Sequence, residues 1–247
     1  MNYIYFDCYS GFDLQMALGS LIDMTKDTDT ARKACDAIIT GGKLYTEETR
    51  RQSMEALLAF FDVSCDADIP DTKELIEKSH LSEKTKSLLT RWLIIKDDGK
   101  NHPCNYDLKE TIYCAACLSI LENIGAEKIY ISSINQGTGV ITKGTHIDFI
   151  PSKHTELLSK MANIPVFSVD IEKEILTPGA LAFLYVLNAE HMPPKAHNVI
   201  KSGYGAGAEN LSIPNLARCV LADDTGDETK LSLECIFSDM TTEFAMQ

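Results

Sequence analysis

The chain opens with Tyr3-Ile4-Tyr5-Phe6-Asp7-Cys8-Tyr9-Ser10-Gly11, an apolar run that ends in a polar turn. A helical pattern follows at once, and one of its faces carries Leu14, Leu18, Leu21 and Ile22. This order predicts a strand, a tight turn and a helix N-terminus, where ligands of α/β proteins usually bind. A purely structural interpretation is also open, in which Ser10 and Asp13 form a capping box and Gly11 eases the turn.

The charge balance limits the classes of partner. The 247 residues include 23 basic and 36 acidic ones, which gives a formal net charge of −13. Nucleic-acid backbones and anionic membranes need Lys/Arg patches, so we expect neither as a partner. A local basic site can still hold a small phosphorylated or carboxylated ligand. The sequence has no long apolar run and no signal-peptide pattern, which predicts a cytoplasmic protein.

The cysteines are numerous but scattered through predicted helices and strands. They lie at positions 8, 35, 65, 104, 114, 117, 219 and 235. A secreted disulfide scaffold would be shorter and richer in loops, so most of these residues are expected to be reduced and buried. The pair Cys114-Ala-Ala-Cys117 has CxxC spacing, but it lies inside a predicted helix and no second CxxC completes a zinc site.

The hydrophobic patterns predict an α/β fold, a mixed sheet with helices. Residues 27–100 are predicted as an all-helical insertion, with amphipathic runs starting near Thr46, Thr72 and Leu81. A buried helix is predicted to start near Asp107 and to end at Gly125. Strands are then predicted at 128–134, 145–150, 166–169, 198–204, 216–221 and 231–236, with helices starting at Pro151 and after Thr177. We predict one domain over 1–225 and a tail over 226–247.

Gly203-Tyr-Gly205-Ala-Gly207 has the letters of a dinucleotide-binding fingerprint. The fingerprint needs a helix after the glycines to hold the pyrophosphate, and residues 209–214 are not helical in pattern, so a nicotinamide or flavin site is rejected. The alternating glycines still indicate a close backbone approach, either to a ligand or to another strand. Asn215 could hydrogen-bond this segment, and Arg218 could pair with a carboxylate or a phosphate.

Metal-ligating patterns are weak. His146 and Asp148 share one face of a predicted strand, and His102 lies close to Cys104. His102 and His146 are therefore the only metal candidates, and exposure to solvent is the commoner explanation for both.

Several motifs, taken in their order along the chain, resemble the LarC-type nickel insertion proteins. The family's opening Asp-Cys-Phe-Ser-Gly resembles Asp7–Gly11, and its Met-x-Leu-Gly-Ala-Leu-Ile-Asp resembles Met16–Asp23. Further similar segments are Gly137–Gly139, Glu174–Ala180, Gly203–Gly207, Pro214–Arg218 and Leu233–Thr241. The resemblance spans nearly the whole chain.

The resemblance implies a nickel chelatase of nickel-pincer cofactor assembly. Members insert nickel into a pyridinium bisthiocarboxylate mononucleotide and use CTP and a divalent metal. The predicted catalytic residues are Asp7, Cys8 and Ser10, and the predicted ligand-binding residues are Gly11, Thr177, Gly205, Gly207 and Asn215. A separately encoded second domain is an expected partner, a homo-oligomer is another, and no cofactor is expected on this chain itself.

Some positions depart from the family pattern. Leu14-Gln15 stands where the family has Gly-Asp, and the family's His-x-His-Glu-Val-Gly is replaced around His102–Asp107. Two other hypotheses therefore stand beside nickel insertion. One is a non-catalytic binding or scaffold protein that kept the fold. The other is an unrelated enzyme whose nucleophile is Cys8, with a thiol pKa lowered by the helix N-terminus.

The positions of the predicted strands also predict where a ligand lies. Both the opening turn and the glycine segment follow strands, so they are expected at one edge of the sheet, with Thr177 and Asn215 nearby. Backbone N–H groups there would favour an anion. Because Gln15 replaces an acid, a divalent cation is expected to bind less well than an anion, and no nickel is expected in the structure.

Overall fold

A computed structural model describes residues 2–62, 72–97, 107–143, 146–192 and 198–223. In these ranges the elements are β1 (Asn2–Asp7), α1 (Leu14–Thr25), α2 (Thr28–Ile38), β2 (Lys43–Arg51), β3 (Met54–Asp62), α3 (Thr72–Lys78), α4 (Glu83–Asp97), α5 (Asp107–Ile124), β4 (Lys128–Ile131), β5 (Ile134–Asn135), β6 (Val140–Lys143), β7 (His146–Phe149), α6 (Lys153–Ala162), β8 (Val166–Phe167), α7 (Pro178–Val186), β9 (Glu190–His191), β10 (Asn198–Ala206) and β11 (Leu216–Asp223). The α/β class predicted from the sequence is confirmed.

The main sheet has seven strands in the order β2-β3-β10-β11-β1-β4-β9. The opening strand β1 is antiparallel to β11 and parallel to β4, and β10 is also antiparallel to β11. The sheet is therefore mixed, and β1 and β10 run in the same direction on either side of β11. Two further two-stranded sheets pair β5 with β8 and β6 with β7.

The central strands separate two apolar layers because successive side chains of a strand point to opposite faces. On one face, Ile4 and Phe6 pack into the main core, to which α1, α5 and α7 also contribute. On the other face, Tyr3, Tyr5 and Val220 belong to a smaller cluster. The predicted buried helix is confirmed as α5, which ends at Ile124 and is followed by Gly125 with a φ of +64°.

Glycines let α1 lie directly against β10. A Cβ added at Gly205 would lie less than 3.0 Å from the backbone O of Met16 and the backbone N of Ser20. A Cβ at Gly203 would meet the backbone of Ser20 and Met24 in the same way. The glycines do approach another backbone closely, as predicted, but that backbone belongs to helix α1 and not to another strand.

The all-helical insertion predicted at 27–100 is wrong in its middle. Lys43–Arg51 and Met54–Asp62 form an antiparallel hairpin, in which Arg51 pairs with Met54 across a turn at Gln52 and Ser53. Gln52 takes a φ of +55°, a conformation for which hairpin turns usually carry glycine or asparagine, so the sequence lacks the usual hairpin signal. The helices on both sides of the hairpin are present as α2, α3 and α4.

Smaller boundaries also differ. The helix predicted to start at Pro151 begins at Lys153, because the Ser152 side chain caps it by accepting a hydrogen bond from the backbone N–H of Thr155. The strand predicted at 128–134 ends at Ile131, and Ile134 starts the separate strand β5. The strand predicted at 231–236 and the tail at 226–247 lie outside the described residues.

Candidate functional site

The opening turn is held by backbone hydrogen bonds. Gly11 N–H donates to Cys8 O at 3.2 Å, and Phe12 N–H donates to Ile175 O at 2.9 Å. Gly11 has a φ of +95°, and a Cβ there would lie within 3.0 Å of Ile175, so this position requires glycine. Thr177 N–H completes the contact by donating to Phe12 O at 3.2 Å. The structure therefore brings the opening turn and the predicted site residue Thr177 together.

Two polar side chains next to the opening turn, those of Asp13 and Thr177, cap helices. Asp13, and not Ser10, is the N-cap of α1, and its carboxylate accepts a hydrogen bond from Met16 N–H at 2.7 Å. The capping box predicted for Ser10 and Asp13 is therefore wrong, because the helix starts one residue after Asp13. Thr177 caps α7 in the same way, accepting from Ala180 N–H at 3.3 Å, as the sequence predicts. Ser10 is buried in the turn.

Two carboxylates, that of the cap residue Asp13 and that of Glu122 on α5, predict opposite responses to acid. Burial raises the pKa of Asp13 above 3.8, so protonation on acidification favours the folded state at this residue. The pKa of Glu122 is lowered from 4.5 mainly by the hydroxyl of Ser82, so its stabilising effect is lost as pH falls through the lowered pKa. We expect Asp13→Asn to steepen the loss of stability between pH 7 and pH 4, and Glu122→Gln to reduce it.

Urea unfolding at several pH values measures both slopes. Asparagine also caps helices well, so Asp13→Asn keeps the cap, whereas the control Asp13→Ala is expected to lose about 1 kcal/mol at pH 7. Equal slopes for wild type, Asp13→Asn and Glu122→Gln would contradict these assignments.

Cys8 is fully buried and faces the main core. Its backbone N–H donates to the Ser132 hydroxyl at 2.8 Å. Burial raises the pKa of the Cys8 thiol well above its usual value, and the nearby Asp7 and Cys219 raise it further. The lowered pKa predicted for Cys8 is therefore wrong, because desolvation outweighs any effect of the helix N-terminus.

We expect Cys8 to react with iodoacetamide in the folded protein as slowly as Cys117, which is also buried and also has a raised pKa. Peptide mass spectrometry over a time course measures both rates, and protein unfolded in urea is the control in which both thiols react readily. Preferential alkylation of Cys8 in the native state would contradict this prediction.

The cysteines that the structure describes, Cys8 included, lie in the packed interior. Cys8, Cys35, Cys114, Cys117 and Cys219 are free and buried, which confirms the predicted reduced state for these five. Desolvation raises the pKa of both members of the CxxC pair. Their position inside α5 fits packing rather than redox chemistry.

The predicted residues of the glycine segment contact the protein itself. Gly207 N–H donates to Asn215 O at 2.9 Å, and the Asn215 side chain donates to Glu209 O at 2.8 Å. The guanidinium of Arg51 donates to Gly207 O at 2.6 and 2.9 Å through Nη2 and Nε. The predicted hydrogen bonding of Asn215 to this segment is therefore confirmed, and Arg51 is a neighbour that the sequence analysis missed.

The opening turn and the glycine segment lie at the same edge of the sheet. Asp7 pairs with Arg218, and Arg218 pairs on its other side with Tyr204. The two segments are thus separated by one strand, β11, which corresponds to about 10 Å between β1 and β10. This is the arrangement that the order of strands and turns predicts.

The metal candidates do not join this edge. His102 lies outside the described residues, and His146 belongs to β7 in the separate β6–β7 sheet. Gln15, which replaces the family's acid, donates from its side-chain amide to Ala59 O at 3.0 Å. Within the described ranges, no three His, Cys, Asp or Glu side chains are grouped so as to hold a metal ion. These residues do not fit a resident divalent metal.

A buried ion pair at the start of α7 was also missed. Lys96 Nζ lies 2.5 Å from Glu110 Oε2, and Lys96 is buried. The Glu110 carboxylate also packs against Gly179 in the first turn of α7, where a Cβ would overlap it. In the sequence, Glu110 is only one polar residue of the predicted buried helix, so nothing there signals a partner on α4.

A family model described as nickel insertion protein matches residues 4–97 and 107–247. The chain belongs to the nickel insertion protein family. A Dictyoglomus thermophilum protein named after nickel insertion is 29% identical over 263 residues, covering 98% of this chain and 67% of the relative. The pyridinium-3,5-bisthiocarboxylic acid mononucleotide nickel insertion proteins of Desulfitobacterium hafniense and Staphylococcus saprophyticus are 27% and 26% identical, each covering 98% of this chain and 66% of the relative. No solved structure matches the chain.

The family assignment bears on the hypotheses above. The chain spans about two thirds of the length of these curated relatives. Membership of the nickel insertion protein family and the raised pKa of Cys8 both contradict the hypothesis of an unrelated enzyme with Cys8 as its nucleophile.

Among the helices that the structure describes, none is long and apolar enough to cross a membrane.

Proposed function

We propose that this chain takes part in inserting nickel into a pyridinium bisthiocarboxylate mononucleotide, with nickel as the metal substrate. The match of the nickel insertion family along residues 4–97 and 107–247 carries the proposal. The identity of the proposed substrate is taken from the names of the Desulfitobacterium and Staphylococcus relatives. The site proposed for this chemistry is the sheet edge at which the opening turn and the glycine segment end.

The roles of the site residues are part of the proposal. Asp7, Cys8 and Ser10 are proposed to act in the metal-transfer chemistry, since thiolate sulfur is a suitable soft ligand for a transition metal. Gly11, Thr177, Gly205, Gly207 and Asn215 are proposed to shape the ligand-binding edge. Because Cys8 is buried with a raised pKa, the turn has to open before its sulfur can contact nickel.

The relatives' greater length supports a second domain as partner. We propose that residues 226–247 lead into this domain or that a separate chain supplies it, and that CTP and a divalent metal act there. A cytoplasmic location and a homo-oligomeric state complete the proposal.

The test combines the purified chain with the second domain of a relative. Nickel, CTP, magnesium and the thiolated mononucleotide are supplied, and formation of the nickel complex is followed by absorbance and mass spectrometry. We expect product only when both parts are present. Absence of product, together with absence of nickel and mononucleotide binding in calorimetry, would overturn the proposal.

A non-catalytic binding protein is the second candidate. It is favoured by Gln15, whose amide is engaged with Ala59 O at a position where the family has an aspartate. This candidate predicts mononucleotide binding without nickel transfer, and restoring the acid with Gln15→Asp should then not create activity. Turnover by the wild-type chain in the assay above would refute it.

A further inference from the structure

Arg218 lies at the centre of a polar patch on the face of the sheet opposite α1. It belongs to β11 and pairs directly with Asp7 on one side and with Tyr204 on the other. Directly paired residues of neighbouring strands share a face, so the three side chains emerge together. The patch lies where β1 ends, next to the opening turn.

Within the residues that the structure describes, Arg218 keeps hydrogen-bonding capacity that the protein does not use. Its Nε is buried and has no hydrogen-bond partner. Among the residues that the structure describes, Arg218 forms no ion pair with a carboxylate, although Asp7 is its direct neighbour on β1. Guanidinium groups carry five N–H donors in a fixed plane, and buried donors are normally satisfied. Because the Arg218 side chain as a whole is only partly buried, its under-satisfied guanidinium points to a ligand that completes its bonding.

Tyr204 supports the guanidinium. The Arg218 Cζ lies 5.9 Å from the centroid of the Tyr204 ring, within the range of a cation–π contact. The Tyr204 backbone is itself fixed, since its N–H donates to the Asp23 carboxylate at 2.8 Å. The guanidinium is thus held in place without its donors being consumed.

We propose that Arg218 is the anion-binding residue of the mononucleotide site, taking a phosphate or carboxylate-type group of the ligand through its guanidinium. This inference rests on the proposed function for the identity of the ligand. A pyridinium mononucleotide carries a cationic ring as well as anionic groups, and Asp7 beside Arg218 offers the matching negative charge. Planar bidentate contact with such anions is the property that distinguishes arginine from lysine.

Calorimetry on the full chain tests the proposal with nicotinate mononucleotide, a pyridinium carboxylate mononucleotide without sulfur. We expect Arg218→Gln to weaken binding at least about tenfold, in line with loss of a charge-assisted contact. Arg32→Gln is the matched control, since Arg32 is exposed on α2 and pairs with Asp29, and its affinity should equal that of wild type. Separate titrations with inorganic phosphate and with pyridine-3,5-dicarboxylate show which anionic group Arg218 takes.

The outcomes separate this proposal from the proposed function. If Arg218→Gln binds the mononucleotide as well as wild type does, or if wild type binds none of the three probes, the anion site is refuted. If binding depends on Arg218 but the assembled system inserts no nickel, the anion site stands and the proposed function fails. Should Arg218→Gln not fold, Arg218→Lys decides, since it keeps the charge but is expected to lose the bidentate contact and several-fold affinity.

Discussion

Replacing Gly205 with valine is expected to lower the free energy of unfolding by about 3 kcal/mol. The new side chain would have to occupy space already filled by the backbone of α1 at Met16 and Ser20, and neither atom belongs to a flexible side chain. Relief therefore requires α1 to move away from β10, which opens the main core. Urea unfolding followed by circular dichroism measures the loss.

Ser202→Ala is the matched control for Gly205→Val. Ser202 lies in the same strand but is exposed, so its replacement should change the stability by no more than about 0.5 kcal/mol. If Gly205→Val were as stable as this control but lost mononucleotide binding, Gly205 would act at a ligand and not in helix packing.

Replacing Trp92 with alanine is expected to cost about 4 kcal/mol, because a fully buried aromatic side chain leaves a large cavity. Trp92 also joins two helices, since its indole N–H donates to Gly179 O at 2.8 Å. Trp92→Phe keeps most of the volume and removes this donor, so we expect it to cost about 1.5 kcal/mol.

Ile94→Ala is the control in the same helix. The Ile94 side chain is 56% exposed, so we expect its removal to change stability by less than about 0.5 kcal/mol. Thermal and urea unfolding of the three variants test the order Trp92→Ala, Trp92→Phe, Ile94→Ala from largest to smallest loss. A different order would contradict the packing of α4 against α7.

The sequence predicts elements well where pattern and end signals agree. The opening strand and α1 are found as expected, and α7 starts after Thr177 with Pro178 in its first turn. The apolar α5 is predicted as central because no face of it is suited to water, and it is buried. In each of these cases, local propensity and tertiary burial favour the same structure.

The β2–β3 hairpin could not be predicted in this way. Its second strand contains Ala56-Leu57-Leu58-Ala59-Phe60-Phe61, a continuous apolar run with no strict alternation. Such a run fits a helix or a buried strand equally, and only the neighbours decide. Here β3 lies between β2 and β10, and these long-range partners are not visible in a local pattern.

The relative position of the two candidate segments was predictable, and the environment of their side chains was not. The strand order places the opening turn and the glycine segment at one edge, as the turns after β1 and β10 predict. The burial of Cys8 depends on packing from distant segments, so the raised pKa of its thiol contradicts an expectation drawn from the helix N-terminus alone. The unsatisfied Nε of Arg218 likewise becomes visible only when β11 lies between β1 and β10.

The insertion of β11 between β1 and β10 also affects the synthesis of the protein. β1 is made first, yet its antiparallel partner is residues 216–223, roughly 200 residues later in translation. At ordinary ribosomal rates this interval lasts about 10 to 40 s, during which one edge of an apolar strand has no partner. Pairing over such a sequence distance is slow because the loop-closure entropy is lost before the contacts form. We therefore expect the nascent chain to depend on chaperone protection until β11 has left the ribosome.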